Sequence, residues 1–293
     1  MSKMVRAISD MGGVVISAID STDIVKRMEE IHKTSAVVSA ALGRMLTASQ
    51  LMASTLKSAS DTITLRIKAD GPIGLITVAC DGRGHCKGYV ENNVVEIPLR
   101  RDGKLDVGSA VGRNGQLYVV KDIGMKEPYV GSIPLESGEI AEDITAYYAY
   151  SEQIPTVCAL GVLVNPDLSI KCAGGYLLQL LPGATEEEIS LVESNIKNIP
   201  SITNFFESGH DVYDIINTVM DGFNPSILDE TDVKYQCDCS RERVKKALIS
   251  IGIKDLEMLR DEEDQIEMGC QYCDAKYYFT KKDLDNIIKS LKK

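Results

Sequence analysis

Four cysteines near the C-terminus constrain this chain more than any other feature. Cys237 and Cys239 form a C-x-C pair, and Cys270 and Cys273 follow further on as a C-x-x-C pair. Each pair offers two thiolates from one bend of backbone, and two such pairs complete the tetrahedral ligand set of a zinc ion. The segment from residue 233 onward is too short to bury much of a core. Structural zinc contributes about 10 to 16 kcal/mol in small domains, against about 5 to 15 kcal/mol of typical folding stability, so this segment is expected to unfold without its metal.

The same quartet can serve as a structural knuckle or as a thiol switch. Around a tetrahedral ion with bonds of about 2.3 Å, neighbouring sulfurs lie roughly 3.8 Å apart, whereas a disulfide needs about 2.05 Å. Metal and disulfide are therefore mutually exclusive. In extended chain the Cα atoms of a C-x-C pair lie near or beyond the usual bridging limit of about 6.8 Å, so a bond between Cys237 and Cys239 requires local unfolding. The turn-like C-x-x-C of Cys270 and Cys273 meets less backbone resistance and is expected to oxidise first.

A length of 293 residues accommodates one large domain and a smaller appendage. The N-terminus, Met1-Ser2-Lys3-Met4-Val5-Arg6, has no apolar leader, and the apolar run from Ala36 to Leu51 is interrupted by Gly43-Arg44 and by Ser39, Thr47 and Ser49. A buried helix is expected there rather than a membrane span, and the chain is expected to be cytoplasmic. Eight cysteines in a reducing compartment point to metal or redox use rather than a disulfide scaffold.

The net charge of −11 is unevenly distributed. Residues 183 to 232 carry eleven acids against Lys197 alone, together with Phe205, Phe206 and Phe223, three of the four phenylalanines. Self-repelling charge combined with large apolar side chains implies a segment that folds only by docking on a neighbour.

The pattern along the chain indicates an α+β protein: a large N-terminal domain with antiparallel sheets and helices, a helical linker and a small C-terminal four-cysteine zinc domain. The expected boundaries are 1–182, 183–232 and 233–293. Asp23 to Ile31 reads as an amphipathic helix, and Thr34 or Ser35 is placed to cap a second one running through Leu56. Ile63, Leu65 and Ile67 alternate with polar residues, and turn signals recur at Asp70-Gly71-Pro72, Asp81-Gly82, Asp102-Gly103 and Asn114-Gly115. The glycines from Gly108 to Gly115 lack a phosphate-loop ending and are expected in a hairpin. In the linker, Thr185 and Glu188 form a capping box, and Ile189, Val192 and Ile196 are expected to share the apolar face of the helix that follows. Asp211 to Met220 repeats the helical pattern. Further on, Ser240 caps a helix, Gly252 ends it, and Gln265 to Met268 with Lys276 to Phe279 form a hairpin carrying Cys270 and Cys273 at its tip. Thr280 caps a last helix.

Cys237-Asp238-Cys239-Ser240-Arg241-Glu242-Arg243 with Cys270-Gln271-Tyr272-Cys273 closely resembles the signature of the bacterial 33-kDa heat-shock chaperonins. Family-like sequence extends through Leu51-Met52-Ala53-Ser54-Thr55-Leu56-Lys57, Gly138-Glu139-Ile140-Ala141-Glu142-Asp143, Ser151-Glu152-Gln153-Ile154-Pro155 and Gly174-Gly175-Tyr176-Leu177-Leu178-Gln179-Leu180-Leu181-Pro182-Gly183-Ala184. The resemblance implies a non-enzymatic holdase, inactive while reduced and loaded with one zinc. It implies that oxidation links Cys237 with Cys239 and Cys270 with Cys273, releases zinc and disorders the linker. The exposed apolar surface then binds unfolding proteins, often as a homodimer, until reduction returns them to refolding chaperones. From the residues themselves, Phe205, Phe206 and Phe223 are expected on the linker's apolar face with Ile189, Val192 and Ile196.

Two other readings compete. A zinc-ribbon nucleic-acid module is opposed by the acidic charge, and a thiol oxidoreductase would need Cys270 and Cys273 exposed and metal-free. Cys80, His85 and Cys86 lack a fourth ligand and read as incidental hairpin residues, and Cys158 and Cys172 as core thiols. Arg241 and Arg243 promise a positive field beside the thiolates.

Overall fold

The computed structural model describes residues 2–197 and 199–292, which form two compact units, Met1–Gln236 and Cys237–Lys293. In the first, β1 (Lys3–Ile8), β2 (Val14–Asp20), α1 (Thr22–His32) and α2 (Ala36–Ala53) precede the antiparallel strands β3 (Thr62–Ala69), β4 (Leu75–Asp81) and β5 (His85–Val90). Next come α3 (Val107–Val111), β6 (Gly115–Asp122), β7 (Tyr129–Pro134), α4 (Ala141–Tyr147), β8 (Thr156–Val164) and β9 (Ile170–Leu180). The unit ends with α5 (Glu186–Ile196), α6 (Ile202–Glu207), α7 (Val212–Val219), β10 (Ser226–Asp232) and β11 (Lys234–Tyr235).

These strands build a five-stranded sheet, β10-β1-β2-β9-β8, and a six-stranded sheet, β11-β5-β4-β3-β6-β7. The architecture is α+β, with pairing that is antiparallel apart from β11 on β5. Helix α2 touches strands of both sheets, and its apolar length is accounted for by burial, since 89% of it lies inside the unit. Ser35 holds its N-cap position but spends its hydroxyl on the backbone of Val95, and the helix stops at Ala53 rather than Leu56. Where the glycines suggested a hairpin, the chain forms the short helix α3, capped by the Asp106 carboxylate accepting from the Ser109 amide.

Alternation along β1, β2 and β9 sends side chains into two separate cores. Met4, Ile19 and Leu177 enter the large core shared with α2, while Val5, Val14, Ile16, Ala18, Tyr176 and Leu178 face the other way. That second face is covered by α5, α6 and α7 through Val192, Ile202, Phe205, Val212, Ile215, Ile216 and Val219, with Phe223 alongside. Phe206 is packed at its margin. The packed face of α5 keeps the expected Val192 and Ile196 and takes Leu191 in place of Ile189. Leu191, Val192 and Ile196 join this cluster, Glu188 is buried beside them, and Ile189 is only half-buried.

Contacts between linker acids and the rest of the unit follow charge as well as apolarity. Lys3 and Arg6 on β1 pair with Glu230 and Asp229 on β10 at 2.6 and 3.0 Å, and Lys171 pairs with Glu207. All are solvent-exposed and contribute little individually. The capping carboxylate of Glu188 accepts from the Thr185 amide and also from the Ser9 hydroxyl in the β1–β2 turn. That turn carries Gly13, where a Cβ would fall 2.2 Å from the Glu188 carboxylate.

The end of the first unit lies later than the sequence reading placed it. Val233 is buried in the large core and donates its amide to the Ser2 carbonyl. The Tyr235 hydroxyl donates to the Gly88 carbonyl at 2.9 Å and accepts from the Gly88 amide, and the Gln236 amide donates to the Cys86 carbonyl. Residues 233 to 236 therefore belong to the large unit, and the small one starts at its first cysteine.

In the second unit, α8 (Arg241–Ser250), α9 (Ile253–Glu262) and α10 (Lys281–Leu291) accompany the hairpin of β12 (Gln265–Gly269) and β13 (Lys276–Thr280). Its core is small, made by Leu248, Leu256, Ile266, Phe279, Leu284, Ile287 and Ile288.

The close approach of α6 to β9 depends on Gly174, where a Cβ would lie 2.4 Å from both the Ile19 carbonyl and the Phe206 ring. Gly174→Ala is expected to cost about 1 to 3 kcal/mol. The checks are a lowered denaturant midpoint and faster proteolysis across residues 200–210.

Candidate metal centre

The second unit places its four cysteines by local structure that the sequence encodes. Ser240 accepts from the Arg243 amide to start α8, which fixes the end of the extended segment bearing Cys237 and Cys239. The β12–β13 register pairs Gly269 with Lys276, and the Cys270 amide donates to the Ala275 carbonyl at 3.0 Å, closing the tip that presents Cys270 and Cys273. Thr280 and Asp283 form a reciprocal capping box at the start of α10.

All four sulfurs lie within 4.8 Å of one another. Two contacts cross between the pairs: Cys237 Sγ is 3.7 Å from Cys270 Sγ, and Cys239 Sγ is 3.4 Å from Cys273 Sγ. Those spacings approach the roughly 3.8 Å expected around a tetrahedral ion with bonds of about 2.3 Å. Four thiols gathered this closely around one point form a donor set that can hold a metal ion, and a soft one is favoured by sulfur ligation. Among the described residues this is the one group of His, Cys, Asp or Glu gathered for such a role.

The thiols are electrostatically unequal. Burial pushes Cys237 well up, and burial likewise raises Cys273 to about 11, each reinforced by neighbouring sulfurs. Cys239 moves the other way: burial opposes its ionisation, but donation from the Tyr277 hydroxyl at 3.1 Å and from the surrounding thiols outweighs it. The hydrogen bond to Cys239 correspondingly raises Tyr277 to about 12. Without a metal, one negative charge is readily shared among the sulfurs and further ionisation meets repulsion; a cation at the centre removes that repulsion.

Tyr277 was not singled out from the sequence. Its only sequence signal is its position on β13 just beyond the C-x-x-C turn. The arginines also differ from expectation. Arg241 stacks on the Phe279 ring, 4.4 Å from its centroid, pairs with Asp283 at 3.1 Å and donates to the Tyr278 carbonyl, while Arg243 pairs with Asp238. Both positive charges are thus engaged with carboxylates, and Arg241 ties α8 to β13 and α10.

The remaining cysteines stand apart from this centre. Cys80, Cys86 and Cys172 are buried, and Cys158 is partly buried, in the sheets of the first unit. His85 turns to Asp81, its Nδ1 3.5 Å from the carboxylate, and does not join Cys80 and Cys86 in a ligand set.

Cys270→Ser is expected to abolish metal retention in the reduced protein and to melt α8 to α10, measured by metal analysis and protection from proteolysis. Tyr277→Phe removes only the hydroxyl donor and is expected to weaken metal affinity by about tenfold, measured by chelator competition.

Comparisons with known proteins agree over nearly the whole chain. A family profile described as Hsp33 protein matches residues 2–280. The 33 kDa chaperonin of Clostridium acetobutylicum is 46% identical over 290 residues, covering 99% of this chain and 98% of the relative. That of Clostridioides difficile is 45% identical over 288 residues, covering 98% and 99%. The crystal structure of a 33 kDa chaperonin from Thermotoga maritima, titled a heat shock protein 33 homolog, superposes with a TM-score of 0.91 at 34% identity, covering 98% of each chain.

Proposed function

This chain belongs to the Hsp33 family, and we propose that it is a cytoplasmic holdase whose four-cysteine unit is a zinc-held thiol switch. The observation that carries this reading is the convergence of Cys237, Cys239, Cys270 and Cys273 within 4.8 Å in a unit whose own apolar core is small. When bound, zinc supplies a single centre of positive charge that keeps four thiolates close and unbridged.

The switch acts through the thiols. One hydrogen peroxide is consumed per pair: it takes two electrons from two thiols, one S–S bond forms, and both peroxide oxygens leave as water. Bridging within Cys270–Cys273 and within Cys237–Cys239 is favoured because each pair is held by its own short loop. The contacts across pairs depend on the folded unit and are lost when its coordination is lost. Each bridge removes two thiolates from the ligand set, and the unit then lacks the free energy to stay folded.

Residues 183 to 232 are proposed as the latch. They cover the second face of the five-stranded sheet, and they continue directly into β11, whose last hydrogen bond is made by Gln236, one residue before the first ligand. Unfolding of the second unit frees the chain at that point, and β11, β10 and the helices become able to detach. Detachment bares Val5, Val14, Ile16, Tyr176 and Leu178 along with Phe205, Phe206 and Phe223, an apolar surface suited to unfolding client proteins. A homodimer of the oxidised form and transfer of clients to refolding chaperones complete the proposal.

Zinc content and suppression of client light scattering, measured before and after peroxide, test the whole reading. Zinc retained through activation would reject it. Peptide mapping after oxidation is expected to give Cys237–Cys239 and Cys270–Cys273. A dominant Cys239–Cys273 bridge, following the 3.4 Å contact, would mean that the metal-competent arrangement persists on oxidation.

For the latch, Val192→Asp puts a charge at a position only 4% exposed, at a cost of several kcal/mol, about the stability of a marginal segment. The reduced, zinc-loaded variant is expected to be cleaved by protease within 183–232 and to suppress aggregation without oxidant. Ile189→Asp, at a half-buried site, is expected to act more weakly.

A further inference from the structure

The first unit contains a pair of thiols that the switch does not use. β4 and β5 form an antiparallel hairpin whose register sets Cys80 directly opposite Cys86. The Glu91 amide donates to the Leu75 carbonyl in the same register. Hydrogen-bonded and non-hydrogen-bonded pairs alternate along an antiparallel ladder, so Leu75 with Glu91 marks one class and Cys80 with Cys86 falls in the other. Directly opposed residues of a non-hydrogen-bonded pair have Cα atoms about 4.5 Å apart and side chains on the same face, which lies within the range a disulfide spans, about 4.4 to 6.8 Å.

We propose that Cys80 and Cys86 are a second dithiol pair, converted by a hydroperoxide into a cross-strand disulfide. One sulfur attacks the peroxide, the O–O bond breaks with loss of water or an alcohol, and the second sulfur attacks the resulting sulfenic sulfur, breaking its S–O bond with release of a further water. Two thiols lose two protons and two electrons, the peroxide is reduced, and one S–S bond forms. Neither strand has to shift its register.

The same geometry explains why this pair reacts late. Cys80 and Cys86 are 1% and 0% exposed, and burial holds both thiols well above their ordinary ionisation range. Reaction requires opening of this end of the hairpin. Its turn, Asp81 to Gly84, lies beside the pair, and the outer edge of β5 there is covered by β11, with Lys234 on His85 and Tyr235 on Cys86. The other two buried cysteines are internal controls, because the β8–β9 register sets Cys158 opposite Leu177 and Cys172 opposite Leu163. Neither has a thiol to meet.

The test uses the full chain, exposed to hydrogen peroxide at ambient temperature and at a raised temperature below the unfolding midpoint, then alkylated, digested with trypsin and mapped by mass. Arg83 lies between the two cysteines, so cleavage there leaves two peptides joined only by the disulfide. At the raised temperature the expected product is this joined pair, lighter by two hydrogens and unalkylated, with Cys158 and Cys172 still alkylated. Cys80→Ser and Cys86→Ala, each checked for native circular dichroism, should each abolish it. Full alkylation of Cys80 and Cys86 at the raised temperature, or bridging of either to another cysteine, overturns the proposal. The C-terminal cysteines are read from different peptides, so failure of the zinc switch is distinguishable from failure here.

Discussion

The structure depends on a sheet with two apolar faces. In β1, β2 and β9, neighbouring residues point to opposite sides, and both sides are apolar: Met4 against Val5, Ile19 against Ala18, Leu177 against Leu178. A sheet of that kind cannot leave either face in water without exposing a large patch. One face is satisfied by α2 and the six-stranded sheet, whose strands β3 to β7 follow α2 in sequence. The other is covered by residues that follow β9, and these carry most of the chain's net charge. Apolar burial draws the acidic segment onto the sheet while its own charge opposes compaction.

Specific polar contacts moderate that conflict. Lys3 and Arg6 on β1 meet the carboxylates of β10, and Tyr213 donates to Glu230. Glu188 serves two elements, capping α5 and accepting from Ser9 in the β1–β2 turn. The cover is therefore specified in register as well as in apolarity. In the holdase proposed above, the sheet face that this cover hides would be the surface that binds clients.

The chain holds its thiols in two kinds of environment. Cys237, Cys239, Cys270 and Cys273 sit half-buried, in a small unit, with the Tyr277 hydroxyl favouring the thiolate of Cys239. Cys80 and Cys86 lie in the large core, where burial suppresses the thiolate. Reactivity follows the thiolate, so on the two proposals above the small unit would respond first and the large unit only once it opens.

Features that depend on neighbours in sequence were legible before any fold was known. The cysteine spacing, the caps at Thr185, Ser240 and Thr280, and the hairpin of Gln265 to Met268 with Lys276 to Phe279 all appear where the residues indicated, because capping and turn formation join groups close in sequence. Features that join distant positions were not legible. The packing of Leu191 rather than Ile189 against the second core, the anchoring of Val233 and Tyr235 in the large unit, the hydroxyl of Tyr277 on Cys239 and the diversion of Ser35 to Val95 each depend on which strand lies beside which. Periodicity gives a helix its apolar stripe but leaves the choice among flanking residues to the surface it meets, and that surface here comes from strands far back in the chain. The sequence determined which local pieces form and which residues can hold a metal; the order and register of the sheets decided what each piece covers.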